Sequence, residues 1–163
     1  YLSRGLGDVY KRQVRDPSNA AKTEHLHKIA EEADAADRLE LVAADLLKEG
    51  SFDAAMEGVA GVCHCAAAVF FAAEDPQRDI VDPSLIGTRN VLESIRKAGT
   101  VRRVVHTSSV VAVYGWDKPD GHMFSEDDWN ASSTLQTDPY GLAKVEAERA
   151  AREFVDALSL IHI

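Results

Sequence analysis

A tyrosine and a lysine four residues apart, Tyr140 and Lys144, are the side chains of this sequence best spaced to do chemistry together. On a helix, residues at this spacing share a face, so the lysine ammonium can lie near the phenol. A nearby positive charge favours the phenolate and lowers a pKa that is about 10 in an unperturbed tyrosine. The pair therefore predicts a phenol whose acidity is tuned for proton transfer.

Three hydroxyl side chains precede this pair in the run HTSSVVAVYG, at Thr107, Ser108 and Ser109. They follow an apolar run typical of a buried strand, so a hydroxyl there can hydrogen bond to a substrate oxygen. A Tyr-x-x-x-Lys spacing alone is a weak signal, since a surface pair on an amphipathic helix has the same pattern. The strand-end hydroxyls favour a site over that surface pair.

The elements that must position these groups alternate between strand and helix. Apolar runs predict buried strands at residues 39–44, 61–68 and 103–108. Helix-forming runs predict helices at residues 17–36, 52–57 and 80–98 and from Asp138 onward, with Gly99 as a helix stop and residues 116–130 as a loop. Such alternation indicates right-handed crossovers and a parallel sheet, so the fold class is α/β.

Apolar positions within two of the predicted helices indicate where the core lies. Leu26 and Ile29 form an apolar stripe on the first helix, which Ser18 or Asn19 would start. The core candidates of the helix at 80–98 are Leu85, Val91, Leu92 and Ile95. Ligands of parallel sheets bind beyond the carboxyl ends of the strands, which here means Arg15, Asp45 and residues 66–71 and 107–109.

The composition, with 45% hydrophobic and 28% charged residues, is that of one globular domain. A net charge of -9 argues against binding to nucleic acid or to an anionic membrane surface. The sequence has no membrane-spanning run and no secretory signal, and its two cysteines are too close for an easy bridge. We therefore expect a cytoplasmic protein with free thiols.

The two ends of the sequence are related through their coding DNA. Residues 8–13, DVYKRQ, can be encoded by DNA whose reverse complement translates as LSLIHI, the sequence of residues 158–163. This inverted repeat resembles a transposon mosaic end used in sequencing libraries, so we expect residues 1–13 and 158–163 to be adaptor-derived and 14–157 to be natural. The glycines at residues 4–7, RGLG, are accordingly rejected as a phosphate-binding loop.

Seven segments in a fixed order carry a resemblance to a known family: VRDPSNAAK, LVAADLL, GVCHCAAAV, PSLIGTRNVLES, VRRVVHTSSVVAV, FSEDDWN and PYGLAKVEAE. In this order and spacing they resemble the extended short-chain dehydrogenase/reductase family. The similar branch contains dihydroflavonol reductases, cinnamoyl-CoA reductases and related aldehyde reductases. The resemblance covers nearly all of residues 14–157.

The resemblance implies a Rossmann-like, doubly wound parallel sheet and a Ser-Tyr-Lys catalytic site. Ser109, Tyr140 and Lys144 match the catalytic residues, with Ser108 as the alternative serine. By the family's mechanism Tyr140 transfers the proton of a carbonyl or alcohol, Lys144 lowers the phenol's pKa and holds the nicotinamide ribose, and Ser109 orients the oxygen. The implied substrate is a small carbonyl compound or alcohol.

The resemblance also implies NADP as the cofactor, with NAD as the alternative. Arg15 and Lys22 match positions that face the cofactor's 2'-phosphate, which requires cations. The further cofactor-binding positions are Asp45 and Leu46 at the adenine, Cys65, Ala66 and Ala67 in the turn beneath the cofactor, and Thr107, Tyr140 and Lys144.

The sequence departs from the family pattern in ways that limit this expectation. We expect the glycine-rich turn, first strand, first helix and most of the second strand to be missing, together with a later strand, the cofactor-clamping loop and the C-terminal substrate domain. Ser84 replaces an asparagine of the active site. Because the family's first strand is central in its sheet, its loss separates the remaining strands and exposes their edges to aggregation. We expect the chain as written neither to bind NADP usefully nor to turn over substrate.

Two alternative functions stay open from the sequence: a nucleotide-sugar epimerase or dehydratase of the same family, and a non-catalytic cofactor-sensing module. The oligomeric state is also open. A metal site at residues 63–65, Cys-His-Cys, is rejected because consecutive strand residues alternate faces.

Other residues have structural interpretations. His64 and His106 are interpreted as satisfied strand histidines, and residues 126–128 as a solvated acidic loop anchored by Trp129. Phe70 and Phe71 fit a substrate pocket or the core equally well.

Overall fold

Strands and helices alternate in the computed structural model, which describes residues 9–69 and 73–158. The strands are β1 (Tyr10–Val14), β2 (Leu39–Ala43), β3 (Gly61–His64) and β4 (Arg103–His106). The helices are α1 (Ala20–Glu32), α2 (Asp53–Met56), α3 (Asp82–Ala98) and α4 (Pro139–Leu158), with a π-helical turn at Gln77–Val81 and 3₁₀ turns at Ala36–Arg38 and Val110–Ala112. None of the described helices is both long and apolar enough to cross a bilayer.

The four strands form two parallel pairs. β1 pairs with β2 from Tyr10↔Leu39 to Val14↔Ala43, and β3 pairs with β4 from Gly61↔Arg103 to His64↔His106. Within the described ranges no strand joins the two pairs, so the predicted split of the sheet is confirmed. β1 takes in residues 10–13, which sequence analysis assigned to adaptor, so the expectation that most of the strand before Arg15 is missing is wrong.

The predicted elements are present, although most of them are shorter than expected. The strands predicted to reach residues 68 and 108 end at His64 and His106, where the pairing register between β3 and β4 stops. α1 starts directly after Asn19, as predicted, but ends at Glu32, and Asp34 then takes a positive φ of 52°. α3 ends as predicted, at Gly99 with a left-handed φ of 65°.

The main core packs α3 against β3, β4, α2 and α4. Val91, Leu92 and Ile95 are buried there as predicted, whereas Leu85 is only half-buried. The apolar stripe predicted on α1 is only partly covered, since Leu26 is half-buried whereas Ile29 is 49% exposed. That side chain lies at an open cleft between the two sheets, so nothing among the described residues covers it.

One close helix contact depends on a glycine. A Cβ added to Gly87 of α3 would lie 2.9 Å from the Cβ and Cδ2 atoms of Leu46. The absence of a side chain therefore lets α3 approach the loop after β2, which holds part of the candidate site.

Candidate functional site

The carboxyl ends of β1, β2 and β3 meet at a cavity of about 440 Å³, which we call the carboxyl-end cavity. Its lining includes five of the cofactor-binding residues predicted from sequence: Arg15, Asp45, Leu46, Ala66 and Ala67. Parallel strands bring these segments to one edge although they lie far apart in sequence. Asp79 and Pro83 also line the cavity; Pro83 begins one of the seven family segments, whereas no motif pointed to Asp79.

Local hydrogen bonds hold the loop after β2 at this cavity. The Asp45 carboxylate accepts the Leu47 N–H at 2.8 Å, and the Ser51 hydroxyl donates to the Asp45 carbonyl at 2.7 Å. From α3, the Asn90 amide donates to the Leu46 carbonyl at 2.7 Å. Both predicted adenine-side residues are therefore fixed through their backbone.

A second group of predicted residues lies where β4 meets α4. The Lys144 ammonium donates to the Thr107 carbonyl at 3.3 Å, and it lies 5.9 Å from the centroid of the Tyr140 ring. Lys144 is buried, and this burial lowers the pKa of its ammonium group. The structure thus brings the predicted tyrosine and lysine together on one helix face.

Capping bonds orient the segments that carry Tyr140 and Ser109. The Asp138 carboxylate accepts the Gly141 N–H at 2.9 Å. This bond caps the first turn of α4, which includes Tyr140. Ser109 precedes the 3₁₀ turn, and its hydroxyl accepts the Val111 N–H at 3.4 Å. Both candidates are half-buried.

The neighbouring Ser108 has a different environment. Its hydroxyl donates to the Glu148 carboxylate of α4. Arg152 also donates to that carboxylate, at 2.8 and 3.1 Å. The hydroxyl of Ser108 is therefore bound to a carboxylate that also pairs with Arg152. Among the described contacts, the hydroxyl of Ser109 makes only the local capping bond to Val111.

Two histidines, His64 and His106, are the last residues of β3 and β4. His64 Nε2 is 3.2 Å from Thr88 Oγ1, and the His64 and His106 ring centroids are 5.2 Å apart. Burial, helped by the charges of His106 and Lys144, lowers the pKa of His64 to about 4. Burial also lowers the pKa of His106, whose two ring nitrogens have no hydrogen-bond partner among the described residues. The predicted satisfied histidine is therefore confirmed at His64 and wrong at His106.

The loop at residues 116–130 is organised by side chains that sequence reasoning missed. The Asn130 amide donates to the Val111 carbonyl at 2.8 Å, while its oxygen accepts the N–H groups of Ser132 and Ser133, both at 3.0 Å. A buried asparagine within a polar segment has no pattern that distinguishes it from a solvated one. Asn130 thus ties the loop to the turn that follows Ser109.

The acidic stretch of this loop is only partly solvated. Asp128 accepts the Ser125 N–H at 2.9 Å and lies within 3.3 Å of Lys118 and 3.0 Å of His122. The Ser125 backbone bond and then these two partners lower the pKa of Asp128 to about 2. Trp129 does anchor the loop, since the Arg149 and Arg152 guanidinium groups each lie 5.0 Å from its ring centroid.

Other predicted residues lie away from the carboxyl-end cavity. Lys22 is exposed on α1 and does not line it. Cys65 lines an adjoining cavity of about 120 Å³, and its sulfur accepts the Thr107 hydroxyl at 3.2 Å. Cys63 and Cys65 are exposed while His64 is buried, so these three side chains do not converge. Phe70 and Phe71, like residues 4–7, lie outside the described residues.

Two parallel pairs with crossover helices and a site at their carboxyl ends define a Rossmann-like fold. The chain belongs to the NAD dependent epimerase/dehydratase family, whose model matches residues 7–161. The match therefore begins within the segment assigned to adaptor.

Individual relatives agree with the branch expected from sequence. Cinnamoyl-CoA reductase CAD2 of Medicago truncatula is 40% identical over 156 residues, covering 91% of this chain and 46% of that protein. Dihydroflavonol 4-reductase of Gerbera hybrida is 36% identical over 155 residues, covering 92% and 41%. The predicted resemblance to this reductase branch is confirmed, and the chain spans about half the length of these curated relatives.

Solved structures confirm the fold. Yeast methylglyoxal/isovaleraldehyde reductase Gre2, complexed with NADPH, superposes with a TM-score of 0.78 at 28% identity, covering 91% of this chain and 46% of that one. The Rossmann-like α/β class predicted from sequence is therefore the fold of this chain.

Proposed function

We propose that this chain is the cofactor-side part of an NADP-dependent oxidoreductase that interconverts a ketone or aldehyde with its alcohol. The observation that carries the proposal is the Tyr140–Lys144 pair, which α4 places beside the end of β4. The reductase names of the relatives and the NADPH complex of Gre2 support the reaction class and the cofactor.

The carboxyl-end cavity fits the adenosine end of NADP. Arg15 is exposed at its rim, where a guanidinium suits the cofactor's 2'-phosphate, and Asp45 and Leu46 offer a fixed wall. Lys22, exposed on α1, is a second cation proposed for that phosphate. Cys65, Ala66, Ala67 and Thr107 complete the proposed cofactor-binding set. When bound, NADPH supplies the hydride that reduces the carbonyl carbon.

The protein's own residues handle the proton. Tyr140 donates its phenolic proton to the carbonyl oxygen, and Ser109 holds that oxygen by a hydrogen bond. The positive charge of Lys144 stabilises the phenolate that remains. The hydrogen bond to the Thr107 carbonyl holds the Lys144 ammonium at the end of β4, where it would bind the nicotinamide ribose.

Recovery of the natural gene across both ends, followed by purification of the whole protein, allows the direct test. NADPH oxidation is followed by absorbance with a panel of aldehydes and ketones. Tyr140→Phe should lower kcat by about 10²–10⁴-fold, the usual contribution of a general acid. Unchanged reductase activity in this variant would remove Tyr140 from the mechanism.

Two neighbouring serines provide a matched pair. Ser109→Ala should lower kcat, whereas Ser108→Ala should lower stability through its lost bond to Glu148 and spare more of the activity. The reverse result would assign the reaction to Ser108.

The cofactor preference has its own test. Arg15→Ala should raise KM for NADPH without changing KM for NADH, because only NADPH carries the 2'-phosphate. A protein that prefers NAD and turns over UDP-sugars would instead be the epimerase or dehydratase alternative. A protein that binds NADPH and reduces no carbonyl compound would be the cofactor-sensing module.

We also propose a cytoplasmic location, as expected from the sequence.

A further inference from the structure

Ser109 and Tyr140 lie on different segments of the chain, and the proposed reaction needs both hydroxyls at one substrate oxygen. Ser109 directly precedes a 3₁₀ turn, whereas Tyr140 lies in the first turn of α4. Three side chains join these two turns through hydrogen bonds, and we call them the polar bridge: Asn130, Ser133 and Asp138.

Asn130 forms the end of the polar bridge at the 3₁₀ turn. It is 5% exposed, and its amide nitrogen donates to the Val111 carbonyl at 2.8 Å and to the Ser133 hydroxyl at 2.7 Å. The backbone N–H groups of Ser132 and Ser133 donate to the amide oxygen, which fixes the orientation of the amide. The Asn130 N–H donates to the Ala112 carbonyl at 2.9 Å. Both the backbone and the side chain of Asn130 are therefore bound to the turn after Ser109.

Ser133 and Asp138 continue the polar bridge to α4. The Ser133 hydroxyl accepts the Asn130 amide and donates to one oxygen of the Asp138 carboxylate at 2.7 Å. The other oxygen of that carboxylate accepts the Gly141 N–H at 2.9 Å. Because an amide NH₂ only donates and an ionised carboxylate only accepts, these bonds can run in one direction only. The bridge therefore has a single arrangement.

Gly141, the residue after Tyr140, packs directly against the polar bridge. A Cβ added to Gly141 would clash with the Asp138 carboxylate and with the Ser133 hydroxyl. The absence of a side chain thus lets the first turn of α4 approach both bridge residues closely. A displacement of either of them moves the backbone next to Tyr140.

We propose that Asn130, Ser133 and Asp138 are positioning residues, which hold the Ser109 and Tyr140 hydroxyls at the spacing that one substrate oxygen requires. The inference rests on the proposed reductase function. Proton transfer needs the oxygen within hydrogen-bond reach of Tyr140. A displacement of about 1 Å, caused by a change away from the reacting atoms, can lower a rate by about 10²-fold. The polar bridge prevents such a displacement between the two turns.

The test uses the whole protein from the natural gene, with two neighbouring serines as a matched pair. Each of their hydroxyls is half-buried, accepts one hydrogen bond and donates one. The Ser132 hydroxyl accepts the Trp116 N–H at 2.8 Å and donates to the Asn130 oxygen at 3.0 Å. Ser133→Ala breaks the polar bridge in the middle. Ser132→Ala leaves the Asn130 oxygen its two backbone donors, so the bridge stays in place.

The two variants should differ in turnover and not in stability. Ser133→Ala should lower kcat by about 10–10²-fold and leave KM for NADPH unchanged, because the bridge acts on the reacting hydroxyls. Ser132→Ala should keep kcat near the wild-type value. Both melting temperatures should fall by similar amounts, since each variant loses two hydrogen bonds. Equal kcat values for the two variants, measured well below both melting temperatures, would overturn the positioning role.

A double-mutant cycle with Ser109 separates positioning from a general loss of structure. In a Ser109→Ala background, Ser133→Ala should lower kcat by much less than in the wild type, because the hydroxyl that it misplaces is already absent. Ser133→Thr keeps a hydroxyl and should restore most of the lost kcat. Full additivity of the two alanine substitutions would contradict the proposal.

Hydrogen exchange, followed by NMR, distinguishes failure of this inference from failure of the proposed function. Ser133→Ala should speed exchange of the Gly141 N–H, because its acceptor Asp138 loses the bond that holds it, whereas Ser132→Ala should not. An unchanged exchange rate in Ser133→Ala would overturn the bridge whatever the activity. A wild type that reduces no carbonyl compound would overturn the proposed function and the positioning role together, and would leave the exchange difference intact.

Discussion

His64→Gln should flatten the dependence of this protein's stability on pH. His64 is 6% exposed at the end of β3, with Thr88 Oγ1 at 3.2 Å and the His106 ring beside it. Burial and the neighbouring His106 and Lys144 lower its pKa from 6.5 to about 4. Glutamine keeps a polar group near Thr88 and cannot titrate.

The sign and size of the effect follow from these two pKa values. Below pH 6.5 the unfolded chain binds a proton at His64, whereas the folded chain stays neutral there down to about pH 4. Stability contributed by the neutral histidine is therefore present above pH 6.5 and is lost as the pH falls toward 4. The difference corresponds to about 3 kcal/mol over this window.

Urea unfolding at a series of pH values between these limits measures the effect, at low protein concentration so that strand edges do not associate. The free energy of unfolding of the wild type should fall by about 2–3 kcal/mol more than that of His64→Gln. His27→Gln, at an exposed position of α1, is the matched control and should follow the wild type. Parallel profiles for wild type and His64→Gln would refute the buried neutral histidine.

Three further predictions concern packing and binding. Asn130→Ala leaves the Val111 carbonyl and two backbone N–H groups without their partner, so the free energy of unfolding should fall by about 3 kcal/mol. It should fall by less in Asn130→Asp, because aspartate keeps the acceptor for the two N–H groups. Equal urea midpoints for wild type and Asn130→Ala would contradict this. Gly87→Ala forces a methyl group to 2.9 Å from Leu46 and should cost about 1–3 kcal/mol in thermal unfolding, whereas an unchanged melting temperature would show that the contact relaxes freely. The 163-residue chain should show no saturable micromolar binding in an NADPH titration. The reason is that Arg15 at the rim of the carboxyl-end cavity does not replace the oriented backbone amides of a phosphate-binding helix start. Saturable binding would prove this prediction wrong.

Local patterns in the sequence determined the type and order of the elements. Apolar runs located β2, β3 and β4 because burial selects side chains of that kind wherever a strand is covered on both faces. The four-residue spacing placed Tyr140 and Lys144 on one face of α4, and Gly99 marked the end of α3 through its left-handed backbone.

The grouping of Arg15, Asp45 and Ala66 at one cavity also followed from the sequence. Parallel strands bring their carboxyl ends to one edge whatever the side chains are, so the positions after each strand could be listed in advance. The length of each strand could not be predicted from the sequence, because a strand ends where its pairing with the neighbouring strand ends, as β3 does at His64.

Only the tertiary structure decided which polar groups meet across long separations. Ser108 and Ser109 are equivalent as sequence, and they differ because Glu148, forty residues later, takes the hydroxyl of Ser108. His64 and His106 look alike on two strands, yet Thr88 of α3 reaches only the first. Exposure of Ile29 was equally hidden, since a helix pattern shows which face is apolar, whereas the position of the two sheets decides whether anything covers that face.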